Sequence, residues 1–312
     1  MNQKKSGWLY LVVIVSLLAG SHGLRFLYAK VPGFSVSTRF SLMYGELLML
    51  IPTLVFLAIL NEDVSESMRI HKVKLTTLLL TVPFIYLIMP LMAMCNALTM
   101  LVTDNIVASV QDSIVSDKFI VMFFIIAVFG PFVEEAVFRG AIYYGLRKSR
   151  RLKAAIFIQA VMFGLMHMNL NQFLYAFVIG LFLGVLSEIT GSILPSFLGH
   201  MIINGSTTFS IFSYKEALAE SADLTLTKGE ILTVFFLYAG VSIITTFIAV
   251  IILRVIAKNE PGGMLRLKAI FRREPVFEID REGIRVDART RIWSIPAMLA
   301  MLVSTLIVLL KI

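Results

Sequence analysis

The sequence predicts an all-α fold, a polytopic membrane helix bundle of about eight to nine transmembrane helices. Three observations lead there. Hydrophobic residues make up 58% of the 312 residues and charged residues only 15%, whereas a soluble domain carries about 45–50% and about 25%. The apolar residues come in long blocks, as membrane spans require. The basic residues fall unevenly between the two sets of gaps separating those blocks.

Nine apolar blocks lie at 7–24, 42–60, 75–102, 119–146, 152–168, 172–186, 193–212, 231–253 and 292–310. A helix needs about 20 residues to cross about 30 Å of hydrocarbon. The sixth block is short for a full crossing. Pro83 and Pro90 are expected to kink the third. Lys4 and Lys5 precede the first block like a signal-peptide n-region, but the apolar run is long and no small-residue cleavage site follows. That block reads as a retained anchor. Three segments result: N-terminal spans over 1–118, a core over 119–212, and C-terminal spans over 213–312 with a basic stretch at 254–291.

With the N-terminus cytoplasmic, twenty Lys and Arg fall on the cytoplasmic side and seven on the other, and Arg139 lies inside a span. This satisfies the positive-inside rule, and the chain is expected to be a multi-pass protein of the plasma membrane. The net charge of +8 is then a topological signal, and no nucleic-acid partner is expected. The stretch at 254–291 reads as a charged loop with a short hairpin around Arg281-Glu282-Gly283. Its basic face suits anionic lipid head groups. A single cysteine, Cys95, excludes an internal disulfide and a multi-cysteine zinc site.

The chemistry is expected within the membrane. Ionisable residues in spans cost about 2.5–3.5 kcal/mol each on insertion scales and mark function by default. Glu134, Glu135 and Arg139 share the fourth block, His167 lies in the fifth, and His200 and Asn204 lie in the seventh. Glu135 and Arg139 are spaced i,i+4, share a helix face and can pair. Glu134 is turned about 100° away and faces a neighbouring helix. Phe163 precedes His167, and His200 precedes Asn204, by the same one-turn spacing. One carboxylate, two imidazoles and an amide can together activate a water and stabilise an oxyanion without a serine or cysteine nucleophile. Taken singly, each has a structural reading: Glu135–Arg139 as an ion pair, Asn204 as interhelical glue, Phe163 as packing. The run Gly180-Leu181-Phe182-Leu183-Gly184 reads as a small-residue helix contact.

These residues resemble a family. Glu134-Glu135-Ala136-Val137-Phe138-Arg139 fits the EExxxR motif of the CPBP family, the CAAX-protease and bacteriocin-processing intramembrane proteases. Phe163-Gly164-Leu165-Met166-His167 fits its FxxxH motif, and His200-Met201-Ile202-Ile203-Asn204 its HxxxN motif. The resemblance covers about a third of the chain, with the motifs in family order. It implies an intramembrane endopeptidase, related to the Ras-converting prenyl-protein proteases, with an active site within the membrane. Its substrate would be a membrane-associated peptide or protein, CAAX-like or bacteriocin-like, and membrane lipid its other partner. Carried over by motif, Glu134 is the general base assisted by His167, His200 and Asn204 form the oxyanion hole, and Glu135, Arg139 and Phe163 support the site. Members are often named metalloproteases. The residues leave two alternatives: metal-free glutamate catalysis with no cofactor, which is favoured, or zinc held by Glu134, His167 and His200. A non-enzymatic scaffold or immunity protein would have no need of the cluster. A proton-coupled transporter would place Glu and His in spans too, but no internal repeat supports one.

Overall fold

The computed structural model describes residues 1–149, 151–215, 227–271 and 292–310. Every regular element among them is a helix. They run α1 (Gln3–Lys30), α2 (Thr38–Ile59), α3 (Val64–Met68), α4 (Leu75–Thr99), α5 (Ile106–Val115) and α6 (Phe119–Arg147). Then follow α7 (Leu152–Met166), α8 (Leu170–Thr190), α9 (Leu194–Ser213), α10 (Lys228–Asn259), α11 (Gly263–Phe271) and α12 (Ile295–Leu310). The expected hairpin around Arg281 falls outside the described residues.

Local sequence sets the ends of these helices. Ser37, Asp63, Asn105 and Asn169 cap α2, α3, α5 and α8 by accepting from backbone N–H groups. Thr227 and Glu230 form a reciprocal capping box on α10. Gly191 ends α8 at φ 74°, in the left-handed region that a glycine enters without steric cost.

Among the described residues six helices are long and apolar enough to cross a membrane: α1, α2, α4, α6, α8 and α10. Three further blocks read as spans behave differently. Helices α7 and α12 have 15 and 16 residues. Helix α9 is 20 residues long but diluted by Ser, Thr, His and Asn. All three pack inside the same bundle. The sixth block, by contrast, extends to a 21-residue helix, and α4 runs unbroken through Pro83 and Pro90.

One hydrophobic core draws on side chains from Leu9 in α1 to Ala300 in α12. Helix α10 packs along α4, α8 along α7, and α1 against both α2 and α12. The outer faces are apolar as well: Phe236, Ile243 and Phe247 of α10 point away from the bundle. An apolar exterior is what a lipid-facing helix presents. The small-residue contact is where the sequence placed it: a Cβ on Gly180 would stand 2.9 Å from the Cα of Ala160 on α7.

At one end of the bundle a buried polar cluster joins α3, α6 and α8. The Glu188 carboxylate accepts from Arg147 Nε and Nη2 at 3.1 and 3.0 Å and from the Tyr143 hydroxyl at 3.2 Å. Arg69 donates to Glu188 at 3.4 Å and to Ser187 through both its Oγ and its carbonyl at 3.1 Å. Arg69 holds φ 57° at the end of α3, and its own carbonyl accepts from Ile193 N.

Candidate active site

Helix α6 carries the first motif, and it is not a uniform α-helix. Two π-helical stretches, Phe124–Phe129 and Ala136–Ile142, flank the α-helical turns Gly130–Glu135. Such wider turns collect at functional sites because the extra residue re-aims side chains and carbonyls. The second stretch includes Gly140 at ψ −107°. A Cβ there would stand 2.8 Å from the Cα of Met68, so the missing side chain lets α3 pack directly on α6.

Glu135 and Arg139 are fully buried, and Arg139 Nη1 stands 2.8 Å from Glu135 Oε1. This is the expected i,i+4 pair. The same Oε1 accepts from His200 Nδ1 at 3.1 Å. Phe163 is a hub for the group. The Arg139 guanidinium lies 3.9 Å from its ring centroid, and both His167 and His200 meet the ring edge-on. A cation over an aromatic face is stabilised when water is absent.

The two histidines have defined roles. His167 Nδ1 faces the Phe163 carbonyl at 3.1 Å. A carbonyl only accepts, so Nδ1 carries the hydrogen and the neutral ring keeps its Nε2 lone pair for the cavity. His200 donates from Nδ1 to Glu135, and its Nε2 stands 3.5 Å from Glu134 Oε2. Glu134 therefore has an imidazole neighbour, where the helix spacing alone left it without one. Asn204 uses one amide hydrogen on the Ile126 carbonyl at 3.0 Å. Ile126 belongs to the first π stretch, so the irregular backbone of α6 positions the motif residue of α9.

Between these helices lies a cavity of about 230 Å³. Glu134, Phe163, His167, His200 and Asn204 all line it, and Glu135 and Arg139 stand behind its wall. Helix α8 adds Gln172 and Tyr175, and α2 adds Leu42 and Glu46. Gln172, Tyr175 and Glu46 were not singled out from sequence. Glu46 did leave a signal: it is the sole charged residue in the apolar block 42–60. Among the described residues no three His, Cys, Asp or Glu side chains are arranged to hold a metal ion. Cys95 is buried in α4, apart from the cavity lining. Nothing here supports the metalloprotease name.

Residues 116–206 match the family model described as type II CAAX prenyl endopeptidase, Rce1-like. The central segment, under a third of the chain, is thus similar to CAAX proteases. The match takes in all of α6, α7 and α8 and the part of α9 that holds His200 and Asn204. No curated protein and no solved structure matches the chain. The matched segment supplies four of the five helices that wall the cavity, and α2, with Glu46, comes from outside it.

Proposed function

We propose that the protein is an intramembrane endopeptidase that hydrolyses a peptide bond in a membrane-associated peptide or protein with a water activated by Glu134. The observation that carries this reading is the convergence of Glu134, His167, His200 and Asn204, from three motif-bearing helices, on one cavity. Glu134 takes the proton from water, and His167 Nε2 is a second acceptor that orients it. The hydroxide forms the new C–O bond, and the carbonyl oxygen becomes an oxyanion. Asn204 retains one amide hydrogen for that oxygen. His200 has its Nδ1–H committed to Glu135 and turns Nε2 towards Glu134 and the cavity, where it completes the oxyanion site with Asn204. This is the logic of a carboxylate orienting a histidine in a triad. No metal takes part.

The excess of basic residues in one set of gaps orients the chain with its N-terminus and the Glu188 cluster at the cytoplasmic face. The cavity draws its α2 and α8 walls from the first halves of those helices, which are remote from Glu188. It then sits towards the non-cytoplasmic leaflet, which suits a bacteriocin-like or other exported peptide better than a cytoplasmic prenylated tail. The test is a comparison of membrane peptides in cells carrying wild-type protein or Glu134→Gln, with cleavage of the accumulating peptide by purified protein in vesicles. A substrate that disappears equally in both cells would refute Glu134 as the base.

A further inference from the structure

Glu46 stands apart from every motif, yet it faces the same cavity as Glu134. Its carboxyl group packs against Gly130, one turn before Glu134: a Cβ on Gly130 would stand 3.2 Å from Glu46 Oε1. The glycine is what lets α2 bring a carboxyl group onto α6 at this level. Glu46 Oε2 is buried and has no hydrogen-bond partner among the described residues. No cation is paired with it either. Facing it are Glu134 from α6, His167 from α7, Tyr175 from α8 and His200 from α9. Arg139 is committed to Glu135. Of the ionisable groups away from the ends of α1, Tyr10 is bonded to the Met162 carbonyl, and His22 is exposed and turned back on Leu18. From α3, Arg69 is held by Ser187 and Glu188 at the far end of the bundle.

Glu46 and Glu134 bring two carboxyl groups to one cavity, and Glu46 has neither a cation nor a hydrogen bond to Oε2 among the described residues to offset a charge, so it is the one suited to carry a proton. Peptide hydrolysis needs such a group. Glu134 can remove a proton from water, but the amide nitrogen must also gain one before the C–N bond breaks, because an amide anion is too poor a leaving group. We propose that Glu46 is the general acid of this site, donating its carboxyl proton to the leaving nitrogen. The inference rests on the endopeptidase reading above and extends it. The balance is complete. Water gives a proton to Glu134 and its hydroxide to the carbonyl carbon. Glu46 gives its proton to nitrogen as the tetrahedral intermediate collapses to acid and amine. Glu134 then returns the water-derived proton to Glu46, directly or through the next water, and both groups are restored. The arrangement follows a general rule: paired carboxyl groups in unlike environments divide the acid and base roles between them.

The test uses a quenched peptide spanning the cleavage site of the membrane peptide that accumulates in Glu134→Gln cells, and the same peptide with a thioester in place of the scissile amide. A thiolate departs without a proton, so only the amide needs an acid. Glu46→Gln keeps the shape of the side chain and removes the acid. It should lower amide turnover about 100-fold or more, leave KM nearly unchanged, and cleave the thioester at close to the wild-type rate. Glu46→Asp, which keeps the acid on a shorter stem, should recover part of the amide activity. Glu134→Gln should lose both substrates. Equal losses on amide and thioester in Glu46→Gln, or no loss on either, would overturn the assignment of Glu46 and leave Glu134 untouched. Wild-type protein that cleaves neither probe would instead overturn the endopeptidase reading on these substrates, and the acid role with it.

Discussion

The bundle contains two buried clusters of charge, and they are built differently. Around Glu188 every oxygen is occupied: two arginines and a tyrosine converge on one carboxylate, and a serine takes up the spare donors. Around Glu134 and Glu135 the donors are not used up. Arg139 meets Glu135 at ion-pair distance and otherwise rests on the Phe163 ring, with no hydrogen bond from Nε or either Nη among the described residues. Glu134 has only a distant imidazole neighbour, and Glu46 leaves an oxygen unbonded. A saturated buried cluster fixes structure. One left short of partners, beside a cavity, is ready to take a reactant. Burial alone would not tell them apart, since Glu188 and Glu135 are equally inaccessible.

That contrast can be broken at several points. The largest effect belongs to Glu134→Gln, expected to reduce cleavage by about two to four orders of magnitude with an unchanged melting temperature in detergent. Asn204→Ala should follow. Loss of one oxyanion donor costs about 100- to 1000-fold in turnover with little change in affinity; steady-state kinetics separate the two. Glu188→Gln should do the reverse, leaving turnover per folded molecule intact while stability falls by about 3–5 kcal/mol, because Arg69 and Arg147 lose their shared buried partner. Thermal denaturation against active-site titration measures both. Glu135→Gln belongs to both clusters' logic and should lose stability and activity together, since it strands Arg139 and frees the His200 ring. The smallest effect is that of a chelator, which should leave activity unchanged. Elemental analysis giving one tightly held zinc per chain in active protein would move Glu134 from base to ligand.

Much of this was legible in the sequence because helix spacing is a local property. Glu135 and Arg139 pair as the i,i+4 rule requires, and the three motifs fall on helices α6, α7 and α9 as their apolar surroundings predict. What joins the helices was not legible. His200 bridges Glu134 and Glu135 from 65 residues away, and no spacing rule reaches that far. Glu46 was missed for a related reason. A lone acid in an apolar block has no partner at helical spacing, and its meaning lies in Gly130 of another helix. The short helices α3, α5 and α11 fall between the apolar blocks that were read as spans. The π stretches of α6 have no composition of their own, so the Ile126 carbonyl that fixes Asn204 could not be foreseen.

Those π stretches have a consequence for how the protein could be altered. Each wide turn holds one residue more than an α-helix of the same rise would need. A single-residue deletion in 124–129 would be absorbed by tightening the turn rather than by breaking the helix. The shortened stretch would regain regular i→i−4 bonding with the flanking turns left nearly in place, and the Ile126 carbonyl, which the wide turn offers to Asn204, would be drawn back into the helix. Asn204 would lose the carbonyl that now accepts its amide hydrogen. Helix α6 therefore carries the register of its candidate site as an insertion, and the shortest route to a sturdier helix that no longer holds Asn204 is one codon long.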